Sequence, residues 1–333
     1  MPQEKNMSNT QLKPKQFLQD YLIFVILAVM VLGMAFMSPN FLTVNNLLNL
    51  LNQSAIFGIL ALGIFMVLVS KGIDLSVGAV LAFAGITAGT ISQTVDAANR
   101  IFPGAPMSPL WMTIVVALVV GAGIGAINGA LIAYTGIPPF IATLGSQIAF
   151  RGGALMITQG RPVSNINPDI HVFGRPFMGV PMPIMLWVVC AVVIYVLMNH
   201  TAFGKSVYAI GGNVEAAEIS GIKVKKTLTW VYAISGILSG LAALIFIGRT
   251  GGSIHPAAGT MFETTAIAAA TIGGTSHGGG IGKVQGVVIG TLILGTLTNG
   301  FTLLGIDVYV QQIAQGLIIV LAVIIDMRKN KKR

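Results

Sequence analysis

"PLWMTIVVALVVGAGIGAINGALIAY", residues 109–134, runs for 26 residues without one charged side chain. As a helix it measures about 39 Å at 1.5 Å per residue, and crossing ~30 Å of hydrocarbon takes only about 20 apolar residues. Inside it lies GAGIGAING, Gly121 to Gly129, which has the look of a dinucleotide-binding fingerprint. That fingerprint must follow a strand and open a helix, and this one sits in the middle of an apolar run. The glycines have another use. Gly121, Gly125 and Gly129 fall on one helix face, where they let a second backbone come close in a medium that gives helices no hydrophobic drive to associate. The stretch reads as a membrane span carrying a packing ridge.

The remainder of the chain agrees. Hydrophobic residues make up 54% of 333 and charged residues 9%, where a soluble domain carries about 25% charged. Ten segments read as spans: 20–37, 46–69, 75–95, 109–134, 139–158, 183–198, 228–247, 261–275, 284–304 and 309–326. The first follows Lys5, Lys13 and Lys15 as a signal peptide would, but nine more follow it, so it is read as an uncleaved span. The single Cys190 lies in an apolar run and leaves no disulfide framework. The expected fold is an all-α polytopic bundle, a single transmembrane domain over 19–326 with tails at 1–18 and 327–333.

Ten spans place both termini on one side, and charge decides which. With the N-terminus inside, all twelve Lys and both C-terminal Arg (Arg328 and Arg333) are inside, while Arg100, Arg161, Arg175 and Arg249 are outside; Arg151 falls within a span. Both termini are therefore expected in the cytoplasm. The net charge of +9 is then a topology signal beside anionic lipid and asks for no nucleic acid. The outer cations are all Arg, whose planar fork suits carboxylates where Lys is a hydrated point charge. An acidic partner outside is one reading, and a small sample is the other.

Further glycine ridges, Gly282–Gly286–Gly290, Gly85–Gly89 and Gly236–Gly240, predict a dense bundle with irregular, partly broken helices. HGGGIGKV, residues 277–284, ends like a phosphate loop but has His277 in place of its first glycine and Val284 in place of its Ser or Thr. It supplies no ATP site. His171, His200, His255 and His277 lie far apart in sequence without metal spacing, and no nucleophile–base set is suggested, so no catalytic residue, cofactor or metal is expected. Trp111, Trp187 and Trp230 fall near the expected interfaces, where Trp anchors.

Two stretches echo each other. NGALIAYTGI, Asn128 to Ile137, and NGFTLLGI, Asn299 to Ile306, each follow a glycine ridge at the end of a span, in opposite expected directions. The spans before them open with Asp74 in GIDLSVG and Glu263 in FETTAIAA. An inverted repeat is expected, with a pathway between its halves. Asp74 and Glu263 are either functional carboxylates inside the membrane or acceptors at helix starts, where the dipole favours an anion. Arg151 either pairs with an acid or snorkels.

One stretch is polar. GKSVYAIGGNVEAAEISGIKVKK, Gly204 to Lys226, lies on the inner side. Asn213 is a good N-cap, Glu215 sits in the first turn, and Gly221 is a good stop, which predicts a helix over 214–220. A helix this short does not hold alone in water. It lies either on the bundle's own inner surface or in a partner.

At this point the chain resembles the ribose/galactose-type permease subunits of bacterial ATP-binding-cassette importers. The stretches that carry the resemblance run the length of the chain in order: SPNFLTVNNLLNLLNQS (38–54), KGIDLSVGAVLA (71–82), PPFIATLGSQIAFRG (138–152), TAFGKSVYAIGGN (201–213), AIGGNVEAAEISGI (209–222) and TTAIAAATIGGTSHGGG (264–280). The resemblance implies a homodimer in the bacterial inner membrane, with cytoplasmic ATPase subunits that carry ATP and Mg and a periplasmic sugar-binding protein outside. It also implies that loop 201–227 is a coupling helix region, with Asn213, Glu215, Ala216, Ala217, Glu218, Ser220 and Gly221 docking into the ATPase. The chain departs from the family in one place, where Thr264 and Thr265 stand in for a Leu-Asp pair. Candidate pathway residues are Asn52, Gln53, Ser54, Asp74, Asn128, Thr143 and Glu263. The outer segment 159–182 with Arg161, Asp169 and Arg175, together with Arg249, is the candidate docking surface. An ion-coupled secondary transporter or channel using Asp74 and Glu263 is the rival from another class, and the same machine carrying another solute, such as a branched-chain amino acid, is the nearer alternative.

Overall fold

The computed structural model describes residues 14–330; Lys5 and Lys13 of the N-terminal tail and residues 331–333 of the basic C-terminal tail lie outside the described residues. Twelve α-helices fill the described chain: α1 Pro14–Met37, α2 Val44–Val69, α3 Val77–Ile91, α4 Leu110–Thr135, α5 Pro139–Thr158, α6 Met182–His200, α7 Ala202–Gly212, α8 Val214–Ile219, α9 Val224–Arg249, α10 Phe262–Ile272, α11 Val284–Leu303 and α12 Val308–Asn330. The only strands among the described residues are Pro176–Phe177 and Val180–Pro181, one small hairpin. Every expected span falls on a helix. Six of them, α2, α4, α5, α6, α9 and α11, are long and apolar enough to cross a membrane. The chain is a multi-pass helical membrane protein.

Local chemistry sets the boundaries. Thr43 caps α2 by accepting from Asn46 N at 3.4 Å. Pro139 opens α5 where its missing N–H costs nothing. Gly136 ends α4 in the left-handed conformation at φ 74°. The span expected at 75–95 is shorter, because residues 72–76 form no regular structure and α3 begins at Val77. The span at 261–275 contracts to the 11-residue α10, about 16 Å long.

α2 and α9 form the axis. Their apolar windows are 83% and 78% buried, against 28%, 17% and 28% for α4, α5 and α6. The glycine ridges do what their spacing predicts. α4 and α9 form the most extensive helix pair: a methyl on Gly121 would overlap Gly236 O, one on Gly125 would overlap Tyr232 O, and one on Gly240 would overlap Ala117 O. On the other side, Gly286 meets Gly273 and Gly290 meets Ala269, joining α11 to α10. The helix contacts follow one pattern twice. α4 packs on α9 as α11 packs on α2; α3 packs on α9, α4 and α5 as α10 packs on α2, α11 and α12. The first turns of α3 and α10 meet where Gly78 lies against Gly259 O and the Glu263 carboxylate.

Trp187 departs from its expected role. It is 4% exposed, its ring filling the space that a side chain at Gly58 of α2 would take, so it packs α6 onto the axis. Trp111 and Trp230 are more than half exposed, as interface anchors must be.

Candidate functional site

The polar island forms two helices where the sequence reading saw one. Thr201 caps α7, its hydroxyl accepting from Gly204 N at 3.3 Å. Gly211 and Gly212 look like a break in the sequence, yet they end α7 as regular helix. Gly211 is needed for close approach: a methyl there would overlap Val69 O at the end of α2 and crowd Gly280 N. Gly280 N in turn donates to Val69 O at 2.8 Å. Tyr208 donates to Gly282 O at 2.9 Å, and burial pushes its phenol above the ordinary value. α7 is thus wedged between the end of α2 and the glycine-rich loop 276–282.

α8 hangs from this wedge. Asn213 Oδ1 accepts from Ala216 N at 2.9 Å, the expected N-cap. Ser220 is the C-cap, one residue before the end predicted, and its hydroxyl donates to Ala216 O at 2.8 Å. Gly221 follows at φ 84°. Only Ala217 is buried, in a small cluster with Ile210 and Val224. Glu215, Ala216, Glu218 and Ser220 are exposed. The sequence reading missed Ile219, which is 89% exposed on the same helix. The signal appears only with the fold: Ala217 is the one position of α8 turned to the bundle, so the isoleucine two residues on faces away.

The seven candidate pathway residues fall into separate places. Asp74, Asn128 and Thr143 are sealed in the bundle. Asp74 Oδ1 accepts from Ser76 N at 2.9 Å and from the Ser76 hydroxyl at 2.6 Å, and Oδ2 accepts from Ser235 at 3.3 Å. Asn128 donates to Ser76 Oγ at 2.9 Å, and Tyr232 donates to Ile73 O at 3.1 Å. The Thr143 hydroxyl donates to Pro139 O at 2.8 Å. This network holds the non-helical entrance to α3. Glu263 lies apart, its Oε1 accepting from Gln147 at 3.0 Å. Arg151 is half-buried and donates to Pro256 O at 2.7 Å and Ala258 O at 2.5 Å, tying α5 to the loop before α10. Gln53 and Ser54 line a cavity between α2, α10, α11 and α12. Asn52, with Asn45 and Asn49, lines an open groove beside the 176–181 hairpin.

Asp74→Ala is expected to lower the melting temperature in detergent. It leaves buried donors on Ser76 and Ser235 without an acceptor, at about 1–3 kcal/mol for each such group. Asp74→Asn keeps one acceptor and is expected to lose less. If Asp74 were an ion-linked carboxylate, Asp74→Asn would abolish transport and leave stability unchanged.

Segment 159–182 is an ordered cap. Val163, Ile166, Ile170 and Phe173 are buried beneath it, Val163 bridges to Ile254 and Ile166 to Gln93, and Asn167 N donates to Ser92 O at 2.8 Å. Arg161, Asp169, Arg175 and Arg249 are all exposed, as is Met178 at the hairpin tip, at 89%.

The family described as "Branched-chain amino acid transport system / permease component" matches residues 46–323 of this chain. The chain belongs to this permease family. It is 41% identical over 311 residues to the ribose import permease protein RbsC of Bacillus subtilis (strain 168), covering 92% of each. It is 38% identical to the D-allose transport system permease protein AlsC of Escherichia coli (strain K12), covering 95% of this permease and 94% of the relative. With the galactose/methyl galactoside import permease protein MglC of the same organism it shares 36% identity over 95% and 96%. No solved structure matches this chain.

Proposed function

We propose that this permease is the membrane-spanning subunit of an ATP-driven importer that translocates a monosaccharide delivered by a periplasmic binding protein. Ribose, allose and galactose permeases are its relatives at 35–41% identity over most of the chain. The observation that carries the coupling role is α8: capped at both ends, buried through Ala217 alone, and presenting Ile219 and two glutamates outward. Such a helix needs a receiving groove, and an ATPase subunit supplies one.

In this reading all ten apolar helices cross the bacterial inner membrane, both termini are cytoplasmic, and α2–α5 and α9–α12 are inverted halves, which the duplicated contact pattern supports. Two copies of the chain assemble with lipid around them. ATP and Mg bind the partner subunits. Closure of the ATPase pair moves α8, and the wedge formed by α7 carries that motion to the end of α2 and the 276–282 loop, biasing a two-state bundle. The Asp74 network, with Asn128 and Thr143, and the Glu263–Gln147 pair with Arg151 hold the entrances to α3 and α10. Gln53, Ser54 and Asn52 face space that solute can use. Arg161, Asp169, Arg175 and Arg249 form the receiving face for the binding protein.

The test is ATP hydrolysis by the permease assembled with its ATPase subunits in lipid. A sugar-loaded binding protein is expected to stimulate it, and absence of stimulation by any monosaccharide-loaded binding protein would contradict the reading. Arg161→Lys with Arg175→Lys keeps the charge and loses the bidentate geometry. The double variant is expected to raise the binding-protein concentration needed for half-maximal stimulation severalfold. An unchanged value removes these two residues from the interface.

A further inference from the structure

The cavity between α2, α10, α11 and α12 holds about 140 Å³. Its wall carries Gln53, Ser54, Thr265, Thr291, Thr298 and Gln315, with Phe57 as an aromatic face. Among the described residues no charged side chain lines it. Ser54 is the eleventh residue of the 26-residue α2, about 15 Å along the helix at 1.5 Å per residue, which is midway through it.

The chemistry of the wall is specific. The Ser54 hydroxyl is buried, with Ser54 only 2% exposed, and has no hydrogen-bond partner among the described residues. A buried hydroxyl left unpaired costs free energy, and native proteins tolerate few such groups. Gly295 gives it room, since a methyl there would overlap Ser54 Oγ. Across the cavity Gln315 donates to Thr265 Oγ1 at 2.8 Å, which leaves the Gln315 carbonyl oxygen able to accept. The Thr265 and Thr291 hydroxyls already donate to helix carbonyls, to Met261 O at 3.3 Å and Val287 O at 2.9 Å, and keep acceptor capacity. The wall therefore offers amides and hydroxyls in both roles and no fixed charge. That composition fits a solute whose own groups are neutral hydroxyls, each donor and acceptor at once. An apolar wall at Phe57 suits the C–H face of such a molecule. A charged amino acid would enter with no counter-charge, at a heavy desolvation cost.

We propose that this cavity is a binding site for a neutral polyhydroxylated solute in passage through the bundle, with Ser54, Thr265 and Gln315 reading its hydroxyls. The inference rests on the importer reading above and adds to it the site at which the solute binds.

The experiment uses the complete importer in lipid vesicles with saturating binding protein, and measures uptake of ribose, galactose and allose separately. Ser54→Leu fills the cavity and is expected to cut the maximal uptake rate by roughly tenfold, while ATP hydrolysis stimulated by the binding protein stays at the wild-type level. Thr265→Val and Gln315→Leu are expected to change the ratio of uptake rates among the three sugars, and Thr265→Ser to restore the wild-type ratio. A variant that merely misfolded would lose stimulated hydrolysis as well. If the wild type takes up sugar and all three variants keep its rates and ratios, the cavity is not the site and the importer reading stands. If the wild type takes up none of the three sugars under ATP, the sugar reading falls and the inference falls with it.

Discussion

A chain carrying Ile219→Asp is expected to insert and fold like the wild type and to lose ATP-driven uptake. Ile219 is 89% exposed, so its replacement removes no packing from the bundle, and exposed substitutions away from special features change stability by about 0.5 kcal/mol or less. Its apolar surface is what a receiving groove would bury. A central apolar anchor of this kind is worth ~2 kcal/mol or more, roughly a thirtyfold change in affinity, and a carboxylate buried in its place adds a desolvation cost. The companion variant Glu215→Arg with Gly221→Leu attacks the same helix through its dipole and its stop. Arg in the first turn meets the positive end of the dipole, and Leu at φ 84° is held in a conformation that side chains disfavour. Copurification of the ATPase subunits, together with uptake and hydrolysis in the same vesicles, checks both. Wild-type copurification and uptake for both variants would return α8 to a structural role on the bundle's inner surface.

The second large effect is expected at the crossing of α4 and α9. Gly125→Ile places a branched side chain where Tyr232 O already lies, and Gly236→Ile places one on Gly121 O. Backbone, unlike a flexible side chain, cannot step aside, so the helices must separate along their length. Overpacking costs about 1–3 kcal/mol even where side chains can adjust, and either substitution here is expected to exceed that and abolish recovery of monodisperse protein from detergent. Gly123→Ile is the control. It lies two residues from Gly125 on the same helix and faces open space, so it is expected to be recovered at the wild-type level. Equal recovery of all three would remove the glycine ridge as the organiser of the bundle.

The difference between Gly123 and Gly125 also shows what was legible in the sequence. Periodicity put Gly121, Gly125 and Gly129 on one face and left Gly123 off it, and the structure places α9 against that face. The helix positions were legible for the same reason: a long apolar run has few uses other than a helix packed in an apolar bundle. The broken entrances to α3 and α10 were less so. Residues 72–76 stay outside regular helix, where Asp74, Ser76, Asn128 and Ser235 satisfy one another across 161 positions of sequence, and no local pattern encodes a partner that distant. α7 was hidden by Gly211 and Gly212, which propensity reads as a break and packing against Val69 requires. Asn213 and Gly221 were legible because capping is local chemistry. Ile219 was not, because an isoleucine in an apolar chain draws no notice until its neighbours are known to face the other way. The cavity was half legible: Gln53 and Ser54 stood out as polar groups within a span, while Thr265 and Gln315 reach them only through the fold.

The central claim is that this chain moves sugar on energy supplied by a partner's ATP. It is tested most directly by uptake of labelled ribose, galactose or allose into vesicles that hold the permease with its ATPase subunits, with the binding protein outside the receiving face. Accumulation is expected for at least one of these sugars only when both ATP and the ATPase subunits are present, and it should be indifferent to ionophores that collapse proton and sodium gradients. Accumulation that persists without ATP and disappears with the ion gradient would contradict the account and make Asp74 and Glu263 ion-coupling groups instead.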